Sequence, residues 1–440
     1  MPTRVVVSGW ADAAAVPFGK AELVLDLHSA RRNLTLNLDP LVPSLCPRTH
    51  DLVELAAAVY AADIVVPRGR NEAWVRDLEI LMPVRELEFW RAHQRVAELL
   101  LHELTGDNVA LHFGSHEGPW EGDPRGGAEV GPADCVSLLS GGLDSFAGAA
   151  ALLKTGRQPL LVSHAPGSPT IEGAQRSVVA ALRGGFRGSW EHLSLYCGPS
   201  RVAEPSADLP RLADREPSQR ARSFLFMALA AAAAEASGAG EMYVFENGIL
   251  AMNVPMSRAR VGSMSTRTAH PRVLHTFSEL AGAVLGRPLT IANPFAVRTK
   301  AEVLRDALRP LVSVDEIRAA VSCWQASRAS RACGACVPCL LRRISVLAAG
   351  LPDEVYQLDL LADPLSHSGT DALANLVDLA AMAKDFAELD DEALLRTYPE
   401  LLDGEDHGLS APLVADLYRR FAAEFFHVLR DHFPAAARVR

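Results

Sequence analysis

The feature that most constrains this chain is the hexapeptide SGGLDS, Ser140 to Ser145, set between an apolar run, DCVSLL, and a run of helical character, SFAGAAALLKTG. The paired glycines Gly141 and Gly142 let the backbone turn tightly and bring its N–H groups close to an anion. The helix that follows aims its positive end at the same point, which suits a phosphate or pyrophosphate. Ser140 and Ser145 add hydroxyl donors, and Leu139 and Leu143 complete the candidate nucleotide-binding stretch. Asp144 would be repelled by phosphate unless a cation mediates, so it reads as a Mg2+ contact. The competing reading is a glycine turn followed by an Asp/Ser helix cap. No GxxxxGK[ST] string occurs, which excludes a Walker-type nucleotidase.

Around this loop the chain alternates strand and helix. DCVSLL is a short buried strand, the next helix ends at Gly156, and QPLLVSHA is another strand. SQRARSFLFMALAAAAAEASG is an alanine-rich helix closed by Gly238, and EMYVFENG is a strand ending in polar residues. That alternation predicts an α/β fold with a doubly wound, mostly parallel sheet covered on both faces. Glu246 and Asn247 then fall at a carboxyl edge, where open α/β sheets bind ligands. A carboxylate and an amide can read a guanine-like edge by hydrogen bonds, against the alternative of a surface turn ENG. Ser163 and His164 end the second strand, and a neutral structural imidazole is an equal reading for His164.

A second signal is CWQASRASRACGACVPC, which holds Cys323, Cys333, Cys336 and Cys339 at spacings C-x9-C-x2-C-x2-C. Two-residue gaps let thiolates converge on one ion, and the distant cysteine closes a tetrahedron. Gly334 fits the tight turn of such a knuckle, and Arg328, Arg331, Arg342 and Arg343 are placed to offset the thiolate charge. A closed four-sulfur set points to structural Zn2+; an iron–sulfur cluster and redox-active free thiols are the other readings. Cys46, Cys135 and Cys197 read as buried spectators. Thr299 and Glu302 form a T-x-x-E capping-box pattern, and Lys300 beside them could reach a phosphate. Arg258, Arg260, Arg267, His270 and Arg272 make a basic loop, solvated or facing an anionic substrate or a partner.

At 440 residues the chain predicts several domains. A stretch with six glycines and three prolines between 114 and 134 reads as a linker, covering 114–133. It separates a small α+β domain over 1–113 from an α/β domain over 134–350, with a helical extension over 351–440. Leu23, Leu25, Leu27 and then Leu34, Leu36, Leu38 alternate with other residues and suggest the two strands of a hairpin. Leu417, Phe421, Phe425 and Leu429 form an apolar helical stripe, read as core. The formal net charge of −10 excludes a strongly basic footprint for bulk nucleic-acid binding. The longest apolar run, Phe224 to Ala234, is too short to span a membrane, and the N-terminus lacks a secretion signal. Seven cysteines, four of them clustered, argue against a disulfide framework and for a reducing, cytoplasmic setting.

SGGLDS resembles the signature of the PP-loop ATP pyrophosphatases, whose fold belongs with the adenine nucleotide alpha hydrolases. Together with the FENG strand end, NPFAVRTKAEV and SCW…CGACVPCLLR, it is similar to the QueC family, the 7-cyano-7-deazaguanine synthases, over roughly 134–350. The resemblance implies ATP and Mg2+ as cofactors, adenylation of 7-carboxy-7-deazaguanine with release of pyrophosphate and AMP, and a cysteine-held Zn2+. It implies catalytic or phosphate-side roles for Ser140, Asp144, Ser145 and Lys300, an adenine site near Ser163 and His164, and substrate contacts from Arg222, Glu246 and Asn247. The family carries an Arg-Asn pair where this chain has Arg222 and Ser223, and a tyrosine-glycine-glutamine string where it has VSHAPGSPTIEGAQ. The segments outside 134–350 resemble those of the extended QueC-like proteins of antiphage defence operons, the QatC type. That likeness implies a protein partner from the same operon whose amine would replace ammonia. Ammonia-dependent nitrile synthesis is the alternative, and an idle nucleotide-binding scaffold is a third expectation. A homo-oligomer is left open.

Overall fold

The computed structural model describes residues 2–8, 22–41, 44–68, 74–116, 130–200, 216, 218–256, 267–326 and 331–438. Most of the glycine-rich stretch, Arg258, Arg260 and Arg328 lie outside them. The first part of the chain holds β1 (Thr3–Val7), β2 (Leu23–Leu25), β3 (Leu34–Leu36), α1 (Pro47–Val65), β4 (Asp77–Val84), α2 (Leu87–Thr105) and β5 (Asn108–Ser115). The centre holds β6 (Cys135–Leu138), α3 (Leu143–Lys154), β7 (Pro159–Ala165), α4 (Pro169–Gly185), β8 (Glu191–Pro199), α5 (Arg222–Ser237) and β9 (Glu241–Tyr243). There follow α6 (Gly248–Met252), α7 (Pro271–Leu285), β10 (Thr290–Ala292), α8 (Lys300–Glu302), α9 (Val314–Ala319) and α10 (Val337–Ala348). The last part is helical, with α11 (Asp371–Glu388), α12 (Asp391–Thr397) and α13 (Ala411–His432).

The central sheet has the order β10-β9-β6-β7-β8-β3 and is parallel except for β3, which runs against β8. The chain leaves β6 through α3 toward β7 on one side and returns through α5 to β9 on the other. The strand order therefore reverses between β6 and β9, and a crevice opens at their carboxyl ends. The alanine-rich helix α5 is buried nearly all round, which explains an apolar run with no polar face. Together with α7 it covers one face of this sheet, while α3 and α4 take the other.

The first segment differs from the α+β hairpin unit expected. β1, β2, β4 and β5 form a second sheet in the order β2-β1-β4-β5, parallel throughout. β2 pairs with β1 in that sheet, whereas β3 crosses to the central one and pairs Leu36 with Cys197. The physical reason is that period-two alternation fixes which face a strand buries but not which strand it pairs with. Asn33 makes the crossing sharp: its Oδ1 accepts from Asp26 N at 2.8 Å and its Nδ2 donates to Val24 O at 2.8 Å. α1 is buried from Thr49 to Ile64 because it is packed against both the first sheet and α5, so one apolar core runs from Val5 to Ile291. The stripe of Leu417, Phe421, Phe425 and Leu429 is buried in a separate cluster shared with α10 and α11, as expected. Among the described residues no helix is long and apolar enough to cross a membrane.

Candidate active site

The glycine loop joins β6 to α3 at the crevice. Gly141 has φ +84°, and its carbonyl accepts from Val321 N at 2.9 Å, which ties the loop to the segment leading into the cysteines. The two serine hydroxyls lie 3.1 Å apart; Ser140 Oγ accepts from Gly142 N at 3.2 Å, and Ser145 Oγ donates to Gly142 O at 3.1 Å. The loop is thus folded on its own hydroxyls, with the N-terminus of α3 behind it.

Asp144 is buried in the first turn of α3 and meets residues from two other strand ends. Its Oδ2 accepts from Lys300 Nζ at 2.5 Å and from Asn247 Nδ2 at 3.0 Å. Lys300 is itself 5% exposed, so this is an enclosed ion pair. The chain's own lysine thus sets a positive charge against Asp144. Asp144 Oδ1 is buried with no hydrogen-bond partner among the described residues. That orphan carboxylate oxygen, beside a loop shaped for an anion, fits a hard cation.

Asn247 is buried, which removes the surface-turn reading of ENG. Its amide is committed at both ends, because Oδ1 caps α6 by accepting from Leu250 N. The group left to face a ligand is Glu246, whose Oε2 is enclosed and has no partner among the described residues. Burial first, and the Asp144 charge second, push its carboxyl up to about 7. Its backbone is pinned to Asn293, which donates from Nδ2 to Glu246 O at 2.8 Å and accepts from Glu246 N at 3.3 Å. Gly148 makes the whole approach feasible: a Cβ there would lie 1.9 Å from the Phe245 ring. The α3 backbone therefore comes close enough to bring Asn247 onto Asp144.

The Thr299–Glu302 capping box forms on both sides, Glu302 N donating to Thr299 Oγ1 at 3.2 Å and Thr299 N to Glu302 Oε2 at 2.9 Å. It fixes the first turn of α8, and with it the start of the Lys300 side chain.

Ser163 and His164 point to opposite sides of the sheet. Ser163 Oγ donates to Leu139 O at 2.5 Å, next to the loop, and lies 2.8 Å from His192 Nε2. His164 packs against Tyr60 and Phe226, its Nε2 2.8 Å from Cys197 O, and burial lowers its pKa to about 4. It is a neutral imidazole with a structural account of its own. Arg222 stands over the Phe226 ring, 5.5 Å from its centroid, and no hydrogen bond joins it to Glu246 or Asn247 among the described residues. Arg220 is turned the other way, donating to Thr105 O in the first segment. Of the basic loop, Arg267 and Arg272 lie 3.7 and 3.6 Å from Asp403, and His270 caps α7.

The four cysteines come together as the spacing predicts. Their sulfurs all lie within 4.8 Å of one another, with Cys333 to Cys339 at 3.8 Å and Cys323 to Cys336 at 4.0 Å. A tetrahedral ion with Zn–S bonds of about 2.3 Å sets its sulfurs about 3.8 Å apart, so the set fits Zn2+. Backbone N–H groups of Gln325, Ala335 and Cys336 point at these sulfurs at 3.3 to 3.5 Å, which suits thiolates. Of the arginines expected to offset the thiolate charge, Arg342 feels the charge of Cys339 while bonded to Glu354, whereas Arg343 is engaged by Asp353 and Asp359.

Asn293, Glu424 and Arg420 are site-supporting residues that sequence reasoning missed. Asn293 sits inside the NPFAVRTKAEV string and was legible there as a polar residue opening a turn. Glu424 and Arg420 lie on the polar side of a helix whose apolar stripe carried the only visible signal.

A parallel sheet with a glycine loop at its reversal point, and three strand-end side chains meeting beside it, defines an α/β protein of the PP-loop type. Comparison with known proteins agrees. The family model described as "Queuosine biosynthesis protein QueC" matches residues 218–350. The 7-cyano-7-deazaguanine synthase of Ralstonia pickettii (strain 12J) is 30% identical over 228 residues, 50% of this chain and 96% of the relative. The synthase of Azoarcus sp. (strain BH72) is 32% identical over 233 residues, 50% of this chain and 94% of the relative. The chain belongs to the QueC family.

Proposed function

We propose that this chain uses Mg·ATP to activate the carboxylate of 7-carboxy-7-deazaguanine and transfers the acyl group to a nitrogen nucleophile. The observation that carries the reading is the meeting of Lys300 and Asn247 on buried Asp144 at the mouth of the glycine loop. A carboxylate is a poor electrophile. Its oxygen attacks the α-phosphorus of ATP, a C–O–P bond forms and pyrophosphate leaves. The amine nitrogen then attacks the carbonyl carbon and loses a proton, and AMP departs with the carboxylate oxygen. The loop N–H groups, the α3 terminus and Lys300 hold the pyrophosphate end. Asp144 would hold Mg2+, which would supply positive charge to offset the phosphates. Glu246, its carboxyl raised by burial to about 7, reads the guanine-like edge, while Asn247 ties its strand end to Asp144. The cysteine set holds Zn2+ in a structural role, with its four ligands closed to substrate.

The acceptor in this reading is an amine of a partner protein in an antiphage defence system, supported by the segments over 1–113 and 351–440 that lie beyond the QueC-like region. The name carried by the relatives favours the other acceptor, ammonia, with a nitrile as product. AMP release from Mg·ATP and 7-carboxy-7-deazaguanine, followed with ammonium and with proteins of the same operon, separates the two. Ammonium should give a free amide or nitrile; a protein acceptor should gain mass. Asp144→Ala should abolish AMP release in both while keeping the native circular dichroism spectrum. Unchanged turnover in that variant would remove the assignment of the loop.

A further inference from the structure

Helix α13 lies beyond residues 218–350, yet it grips both turns that deliver side chains to Asp144. On the Lys300 side, Thr299 Oγ1 donates to Glu424 Oε1 at 2.7 Å. Arg420 pairs with Glu302 and donates from Nη2 to Val297 O at 2.9 Å. On the Asn247 side, Tyr418 OH donates to Ile249 O at 3.0 Å and accepts from Val254 N at 3.1 Å. Gly248 sits so close to this helix that a Cβ would come within 2.5 Å of Leu417 Cδ2. The two turns also touch, Gly248 N donating to Arg298 O at 2.8 Å.

Leu417 and Tyr418 meet the Asn247 turn and Arg420 and Glu424 the Thr299 turn, while Phe425 and Leu429 anchor α13 in the C-terminal core. The cluster is not the cheapest way to pack a helix. Glu424 Oε2 is enclosed without a partner among the described residues. Burial and the charge of Glu302 hold the Glu424 carboxyl up to about 7, against the pull of Thr299, Arg305 and Arg420. An apolar residue would seat the helix equally well but could not take the Thr299 hydroxyl.

We propose that Glu424 and Arg420 are positioning residues: α13 clamps the Thr299–Glu302 turn so that Lys300 Nζ stays on Asp144, and Tyr418 holds the Asn247 turn in register with it. This deepens the phosphate-side reading of Asp144 and Lys300 and rests on it. A lysine ammonium sits at the end of four rotatable bonds, so its place depends on where the backbone of residue 300 is held.

The test uses the full chain as wild type, Glu424→Ala, Glu424→Gln, Arg420→Ala, Lys300→Ala and Lys300→Ala combined with Glu424→Ala. Leu365→Ala, at a residue 73% exposed in the same C-terminal region, is the control. Single-turnover AMP release from Mg·ATP and 7-carboxy-7-deazaguanine should fall about tenfold in Glu424→Ala, the scale of direct coupling between contacting residues. Glu424→Gln, whose amide oxygen still accepts from Thr299, should regain most of the rate. In the Lys300→Ala background, Glu424→Ala should change nothing further, because the residue it acts through is gone. Equal losses in both backgrounds, or no loss in either, would overturn the proposal. Arg420→Ala, which frees the same turn from a different contact, carries the same expectation if Glu424→Ala does not fold. A wild type that releases no AMP defeats the phosphate-side reading alone. Hydrogen–deuterium exchange then decides the clamp: faster uptake at residues 299–303 in Glu424→Ala but not in Glu424→Gln upholds it, and unchanged uptake refutes it.

Discussion

Asp144 and Glu246 are neighbouring buried carboxyl groups with different partners. Asp144 has a lysine ammonium at 2.5 Å, whereas Glu246 is enclosed with one oxygen unpartnered and is pushed from 4.5 up to about 7. A raised carboxyl means that the folded chain keeps a proton the unfolded chain has released between those two values. Stability therefore falls as pH rises from about 4.5 to about 7 and levels off above, the sign required when the native state binds more protons. Glu246→Gln should remove that loss, so its urea midpoint should gain on wild type as pH rises through the window. A constant difference between the two at every pH would show that Glu246 does not titrate there. The residue identities were legible: the FENG string exposed both Glu246 and Asn247, and the T-x-x-E pattern exposed the capping box. What spacing could not show is that Asn247 uses its whole amide on Asp144 and α6. That division follows from the close approach at Gly148, which no periodicity reveals.

At the scale of elements, the cysteine knuckle was the most legible unit, because ligand spacing alone sets which sulfurs can converge. Gly334 has φ +80°, and a Cβ there would stand 2.1 Å from Leu358 O, so the knuckle is pressed onto the segment that follows α10. Val321 N on Gly141 O then links it to the glycine loop. Cys336→Ser should lower zinc content and melting temperature together, since metal binding is coupled to folding. Elemental analysis with thermal denaturation checks it, and a zinc-free variant that melts like wild type would refute a structural ion. Strand partners were less legible. The leucine alternation in 23–38 marked two strands correctly, but their pairing was decided by β1 and β8, far along the chain. The ion pairs of Arg342 and Arg343 were hidden for a related reason: sequence proximity to the sulfurs does not show the carboxylates folded back onto α10.

At the scale of the whole molecule, the first segment is joined to the centre by buried charge as well as by apolar core. Asp107 is fully buried and takes a two-pronged contact from Arg68, at 2.6 and 2.7 Å, and another from Arg76 at 2.6 Å. Asp63, which pairs with Arg76, accepts from Ala221 N at 2.8 Å at the start of α5. Asp107→Ala leaves two enclosed guanidiniums short of a partner and should cost about 3–5 kcal/mol, read as a lower urea midpoint. A loss under about 1 kcal/mol would mean the cluster is no more than a surface-like pair. None of this was visible in the sequence, since Asp63, Arg76, Asp107 and Ala221 lie far apart along the chain, three of them just outside the ends of elements.

The proposed adenylation of a carboxylate would take place in the crevice at the β6/β9 reversal. It is tested most directly by transfer of 18O from 7-carboxy-7-deazaguanine labelled in its carboxylate, with Mg·ATP and a nitrogen donor, followed by mass spectrometry of the nucleotide. AMP carrying one 18O atom is the predicted result, because the bond that breaks lies between the carbonyl carbon and that oxygen. Unlabelled AMP, or ADP in its place, would contradict the account.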